Sequence, residues 1–191
     1  MNSVWEQGSS CLGFENLKLD IKTDVLIIGG GMAGILCAYM LEHSGIPYVL
    51  VEAQSICSGI TKNTTAKITS QHGLIYDRLI REFNIEKAKQ YLEANEIALA
   101  KYRSLCSNID CDFEEKISYV YSLNDRQKIE KEIIALEKLG ANAEFADQIP
   151  LPFSVAGAVK FPNQAQFHPL KFISAISKGL HIYEHTAVRE L

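Results

Sequence analysis

Long hydrophobic runs are missing from this chain. The two longest, Val25–Ile28 and residues 35–41, fall far short of the ~20 apolar residues that a membrane-spanning helix needs. Residues 1–20 carry Glu6, Glu15 and Asp20 and no apolar core of the secretory kind, so no signal peptide is expected. Charge of one sign is not concentrated anywhere: 19 basic and 23 acidic side chains are scattered for a net charge of -4. With no basic block or stripe, nucleic acid is not an expected partner. Cys-x-x-Cys pairs are also missing. The five cysteines, Cys11, Cys37, Cys57, Cys106 and Cys111, are an odd number without paired spacing, so a reduced, cytoplasmic protein is the expectation. Internal repeats and low-complexity tracts are absent, and nothing in the pattern speaks to oligomeric state. What the chain does have is a 47% share of apolar residues, enough for a packed core.

The organisation follows from apolar spacing and from glycine and proline positions. Residues 1–22 read as an irregular arm whose Trp5 and Phe14 pack on the domain surface. The run ending at Ile28 suits a strand buried on both faces of a parallel sheet. Residues 35–43 are apolar nearly all round, which predicts a buried helix, stopped by Gly45 and kept from resuming by Pro47. Tyr48–Val51 reads as a second buried strand. After a Ser/Thr/Gly-rich loop, two helices are expected, the longer one presenting Ile85, Ala88, Leu92, Leu99, Tyr102 and Cys106 on one face. Ile117, Tyr119 and Tyr121 alternate as in a strand. Ile129, Ile133 and Leu136 mark a further helix closed by Gly140. A strand over 155–161 is bounded by Pro152 and Pro162, and Pro169 opens a helix running to about Lys178, with Gly179 as its stop. Residues 180–191 read as extended.

Gly29, Gly31 and Gly34 form a Gly-x-Gly-x-x-Gly turn between the first strand and the first helix. Each glycine has a mechanical reason: a tight turn at Gly29, close approach of backbone to a pyrophosphate at Gly31, and close helix–sheet packing at Gly34. The helix N-terminus then directs free N–H groups and its positive dipole end at phosphate. Glu52, at the end of the second strand, is placed to accept hydrogen bonds from the ribose hydroxyls of adenosine. Its charge disfavours a 2′-phosphate, which counts against NADP. The glycine spacing alone is weak evidence. Strand, helix and acid in their required places make a βαβ unit for the ADP half of a dinucleotide. FAD rather than NAD is expected, because a nicotinamide half continues from Glu52 through another crossover helix to a third strand.

The stretch 24–34, the strand ending in Glu52, the loop 58–66, and the later segments 164–169 and 185–191 together resemble the amino-terminal part of the D-amino acid oxidase-like (DAO) family of FAD-dependent oxidoreductases. That family includes glycine and sarcosine oxidases and D-amino acid dehydrogenases. The resemblance runs from about residue 22 to the end. It implies an α/β fold: a Rossmann-like FAD-binding domain with a parallel sheet, interrupted by part of a mixed α/β substrate domain. The arm would be 1–22, the first part of the flavin domain 23–75, the helical and substrate part 76–162, and the return to the flavin domain 163–191. It also implies FAD contacts from Gly29, Gly31, Met32, Ala33, Gly34, Glu52, Ala53, Ser58, Gly59, Thr64, Thr65 and Ala66, and adenine contact from the backbone of Val188.

The implied reaction is two-electron oxidation of a small amine or amino acid, with hydride passing to flavin N5. Such chemistry rests on positioning with the redox step carried by the cofactor, so no catalytic residue is named. Family members are longer, and the chain stops in what reads as a strand, so a fragment inactive by itself is expected. Some relatives with this loop continue into a Rieske iron–sulfur domain, but these residues contain no Cys-x-His pair. Ile60, Thr61 and Lys62 are larger than the residues many relatives carry there. The alternatives are a flavoprotein of another class, modifying RNA or oxidising a polyol phosphate, and a truncated product without catalysis. His181 and His185 have no third ligand nearby, so no metal site is expected. Lys62 and Lys67 are read as solvated, Cys57 as packing, Cys106 and Cys111 as half-buried, and Tyr119 and Tyr121 as packed strand residues.

Overall fold

The computed structural model describes residues 3–7 and 12–190; Cys11 and Leu191 lie outside the described residues. Along the chain come β1 (Val25–Ile28), α1 (Met32–His43), β2 (Tyr48–Val51), β3 (Lys67–Ile68), α2 (Tyr76–Glu82) and α3 (Ile85–Cys106). β4 (Glu114–Ser122), α4 (Arg126–Leu139), β5 (Glu144–Ala146), β6 (Gly157–Gln166), α5 (Pro169–Ile176) and β7 (Ile182–Tyr183) follow. They divide into two compact units. Unit 1 is Met1–Ala66, Ile109–Asp112 and His168–Leu191; unit 2 is Lys67–Asn108 and Phe113–Phe167.

Unit 1 is a parallel α/β layer in the strand order β1-β2-β7. β2 lies in the middle and all four of its residues are buried, which explains its unbroken apolar run. α1 ends in a Schellman motif. Gly45 adopts φ +66°, its N–H donates to Glu42 O, and Ile46 N–H donates to Leu41 O. Two expectations need correction here. β1 is an end strand, and only Ile27 of it is buried; Leu26 is 45% and Ile28 53% exposed. α1, though apolar all round, buries only Ile35 and Ala38, while Cys37 and Met40 are exposed. α1 packs against β1, β2 and α5, and apolar sequence alone does not say how much of a helix will be covered.

α5 begins at Pro169, and the His168 ring caps it by accepting a hydrogen bond from Lys171 N–H at 3.3 Å. Gly179 takes φ +79° after its end. The tail is not a long strand: only Ile182–Tyr183 pairs with β2, and His185 at φ +51° turns the chain away. His181 and His185 therefore do not share a strand face. The arm does pack on unit 1. Trp5 Nε1 donates to Thr64 O at 2.8 Å, Phe14 N–H donates to Glu184 and Leu17 N–H to Thr186.

Unit 2 is built on β6, which pairs antiparallel with β4, β3 and β5. The strand runs through Pro162 instead of stopping before it. The ladder slips there, passing from Ser118↔Phe161 to Lys116↔Gln164, and Asn163 takes φ +58°. A bulge of this kind is where a strand tolerates proline, since no ladder N–H is demanded of it. Ile129, Ala135, Leu136 and Leu139 of α4 pack with Tyr76, Ala88, Leu92, Val159 and Phe161 as one core. Within α3 the buried residues are Ala88, Leu92, Leu99 and Cys106; Ile85, expected on that face, is 48% exposed in the first turn. Cys106 and Cys111 are fully rather than half buried.

Candidate dinucleotide site and a buried carboxamide

The glycine turn of unit 1 sits where β1 hands over to α1. Gly29 N–H donates to Val51 O at 2.8 Å, and its φ of +104° is one that side-chain-bearing residues avoid. A Cβ on Gly34 would lie 2.0 Å from the Gly29 carbonyl oxygen, so only glycine fits this close crossing of helix and strand. Gly31 differs: a Cβ there would meet only Thr61 Oγ1, at 3.5 Å. Its place at the helix entrance is open. A fourth glycine, Gly30, went unremarked in the sequence, yet a Cβ on it would come within 2.7 Å of Ile56 Cγ2.

The first hydrogen bond of α1 runs from Ile35 N–H to Gly31 O. The N–H groups of Met32, Ala33 and Gly34 precede it and point out of the helix N-terminus. The Thr61 hydroxyl accepts from Met32 N–H at 3.1 Å, a role that sequence reasoning did not assign. Glu52 stands at the end of β2. Its Oε2 accepts from Gly30 N–H at 2.7 Å and its Oε1 from Gln54 N–H at 2.8 Å. A carboxylate offers about four lone-pair positions, so capacity for hydroxyl donors remains.

The loop beyond Glu52 wraps this corner. Ala53 is exposed, Ser58 N–H donates to Ser55 O at 3.2 Å, and Gly59 precedes a single 3-10 turn at Ile60–Asn63. Thr64 Oγ1 accepts from Ala66 N–H at 3.2 Å, Thr65 is exposed, and Ala66 is buried at φ +56°. Cys57 is buried, with its N–H donating to Gly30 O at 2.9 Å. Lys62 is ion-paired with Glu6 at 3.0 Å, and that hydrogen bond holds the Glu6 carboxyl below its usual range. Val188 lies in irregular chain just after Thr186, whose N–H donates to Glu52 O at 2.8 Å. Glu184, also missed in the sequence, is 3% exposed and joins arm to loop by accepting from Phe14 and Ile56 N–H groups at 3.0 and 2.7 Å.

Unit 2 holds a separate polar centre. Ser70 N–H donates to Gln164 Oε1 at 2.7 Å, its hydroxyl donates to Glu96, and the Tyr76 hydroxyl donates to Ser70 O. Burial raises the Tyr76 hydroxyl pKa well above its usual value. Next to Ser70 is Gln71, 3% exposed, whose side-chain nitrogen and oxygen have no partner among the described residues. Nothing in a Ser/Thr-rich stretch marks one glutamine out beforehand. Among the described residues no group of three or more His, Cys, Asp or Glu could hold a metal ion. None of the described helices is long and apolar enough to cross a membrane.

Comparison with known proteins agrees with this geometry. The model of the FAD dependent oxidoreductase (DAO) family matches residues 24–191. A Bacillus subtilis (strain 168) protein, YhfW, named as a Rieske 2Fe-2S iron-sulfur protein, is 38% identical over 99% of this chain and 39% of its own length. Gamma-glutamylputrescine oxidoreductase of Escherichia coli (strain K12) is 25% identical over 93% of this chain and 45% of its own. Glycine oxidase from Bacillus cereus ATCC 14579 superposes with a TM-score of 0.60 at 25% identity, over 86% of this chain and 46% of its own. L-proline dehydrogenase from P. horikoshii shares the fold at a TM-score of 0.72 and 18% identity, over 90% of this chain and 46% of its own. The chain thus spans less than half the length of these relatives. With a glycine turn between parallel strand and helix, an acid closing the next strand, and a family match over nearly all of its residues, the chain belongs to the FAD-dependent oxidoreductase (DAO) family.

Proposed function

We propose that this chain is the cofactor-binding part of an FAD-dependent oxidoreductase that oxidises a small amine or amino acid. The observation that carries the reading is the corner of unit 1, where the open Gly31 position, the N-terminus of α1 and the Glu52 carboxylate meet. Those residues fit an ADP-bearing group. The helix N–H groups suit the pyrophosphate, Gly31 leaves its path clear, and Glu52 suits the ribose hydroxyls. Ala53, Ser58, Gly59, Thr64, Thr65 and Ala66 are assigned to the cofactor's course along the loop, and the Val188 backbone to adenine. When bound, FAD supplies the two-electron acceptor, N5, to which hydride passes. The chain's share is to bind and orient. Oxidation at the carbon bearing an amino nitrogen draws support from the names of two relatives, gamma-glutamylputrescine oxidoreductase and glycine oxidase, which favours it over an RNA-modifying or polyol-phosphate-oxidising role.

The test is purification followed by spectroscopy. The protein should be yellow, or turn yellow with added FAD, and denaturation should release a flavin that chromatographs as FAD. Protein that stays colourless with FAD and binds NAD in calorimetry would overturn the reading.

A further inference from the structure

Gln71 stands out in unit 2 because its neighbours close their hydrogen bonds without it. Its own backbone is satisfied, N–H donating to Thr69 Oγ1 at 3.0 Å and O accepting from the Thr69 hydroxyl at 3.4 Å. Ser70, Gln164, Glu96 and Tyr76 bond to one another, and Gln164 Nε2 donates to Pro162 O at 2.9 Å. The Gln71 carboxamide is 3% exposed and meets none of these groups. A buried amide left unpaired at both ends is unfavourable to folding, and native proteins keep such a group where something else completes it.

We propose that Gln71 is a substrate-recognition residue of unit 2 that reads a small amino acid. Its Oε1 accepts a hydrogen bond from the substrate's amino N–H, and its Nε2 donates to the substrate's carboxylate. This rests on the amine or amino acid reading above and names the residue that recognises that substrate. A carboxamide carries an acceptor and two donors side by side, and an α-amino acid presents a donor and an acceptor on adjoining carbons. The match is to a paired group rather than to a lone cation or anion. Being neutral, Gln71 also accepts from a free amine as well as from an ammonium. The nitrogen lone pair of the free amine is what assists departure of hydride from the neighbouring carbon.

The experiment uses the FAD-loaded protein, titrated in a calorimeter with glycine, sarcosine and methylamine, with urea midpoints measured in parallel. Gln71→Met keeps the volume and removes the unpaired amide. It should unfold at the same or a higher urea concentration than the parent while binding glycine and sarcosine at least tenfold more weakly. Gln71→Glu should turn the preference from glycine toward methylamine, since a second carboxylate repels the substrate's own. Gln71→Met binding both amino acids like the parent would overturn the proposal. So would a fall in its urea midpoint with ligand affinity unchanged, which marks a structural role. A parent that takes up FAD but binds none of the three probes would instead sink the amine reading itself, a failure visible before any variant is made.

Discussion

Single atoms decide what the glycine turn tolerates. A methyl group at Gly34 would have to displace a backbone carbonyl 2.0 Å away, and overpacking of that kind costs about 1–3 kcal/mol or more. Gly34→Ala is therefore expected to lower the urea midpoint, with cofactor loss only as a consequence. Gly31→Val should do the reverse, keeping most of the stability and weakening FAD, and Glu52→Ala should weaken FAD by more than its loss of stability accounts for, since Gly30 N–H also loses its acceptor. For Glu52 a charge-assisted hydrogen bond of about 1.5–3 kcal/mol corresponds to one or two decades of affinity. Flavin titration beside urea unfolding separates the two classes, and variants that all lose stability equally would refute the distinction. His168 supplies a pH-dependent counterpart. Burial first, and then the Lys171 charge, hold its imidazole below the ordinary value of 6.5. The native state thus binds fewer protons than the unfolded chain just below that value, so this contribution to stability is lost as pH falls from about 6.5. Asp112, held low by its hydrogen bond to Lys171, adds its own loss only below about pH 4. His168→Asn keeps an acceptor for the helix cap and should flatten the urea midpoint between pH 6.5 and 5. An unchanged slope there would contradict this account.

At the scale of elements, short helices here depend on side chains supplied from elsewhere. α2 has seven residues, too few to stand by propensity. Its first N–H groups, those of Tyr76 and Asp77, are accepted by the fully buried Glu132 of α4 at 2.9 and 3.0 Å. Glu132→Ala would leave two donors unpaired and a void, at about 1–3 kcal/mol for each donor. Glu132→Gln keeps one acceptor oxygen and should recover part of the loss. Denaturant unfolding of the three proteins should rank the parent above Glu132→Gln and Glu132→Ala lowest; equal midpoints would remove the cap from the account. Much at this scale was legible in sequence. Gly45 and Gly140 end their helices at φ +66° and +73°, and Pro169 opens α5. Glu132 was not legible. A glutamate between Lys131 and Ile133 reads as solvated, and only the fold brings it under the start of α2.

Across unit 1 as a whole, apolar side chains remain on the surface of β1, of α1 and of the turn that follows it. Leu26, Ile28, Ile46 and Met40 are between 38% and 53% exposed, and among the described residues β1 has a neighbour on one edge only. An uncovered strand edge beside exposed apolar residues favours association between chains. The protein as given is expected to self-associate with rising concentration in sedimentation velocity. Ile28→Lys should reduce this, with a change in stability within about 0.5 kcal/mol. A parent monomeric at high concentration would remove the reason for the prediction. The same residues show where reading the sequence overreached: an apolar run gives hydrophobicity, while burial depends on which elements arrive to cover it.

Local rules were enough to find the strand–turn–helix, the acid at the end of β2 and the alternation of helix and strand. Each depends on the conformational limits of a few neighbouring residues and on apolar periodicity, and both are written in the chain. Tertiary structure decided the rest. It set Thr61 against Met32 N–H, Glu184 between arm and loop, and the bulge that carries β6 past Pro162. It also left the Gln71 amide buried without a partner among the described residues. Those outcomes depend on groups far apart in sequence meeting in space, and hydrogen-bond satisfaction is a property of such meetings rather than of residue type.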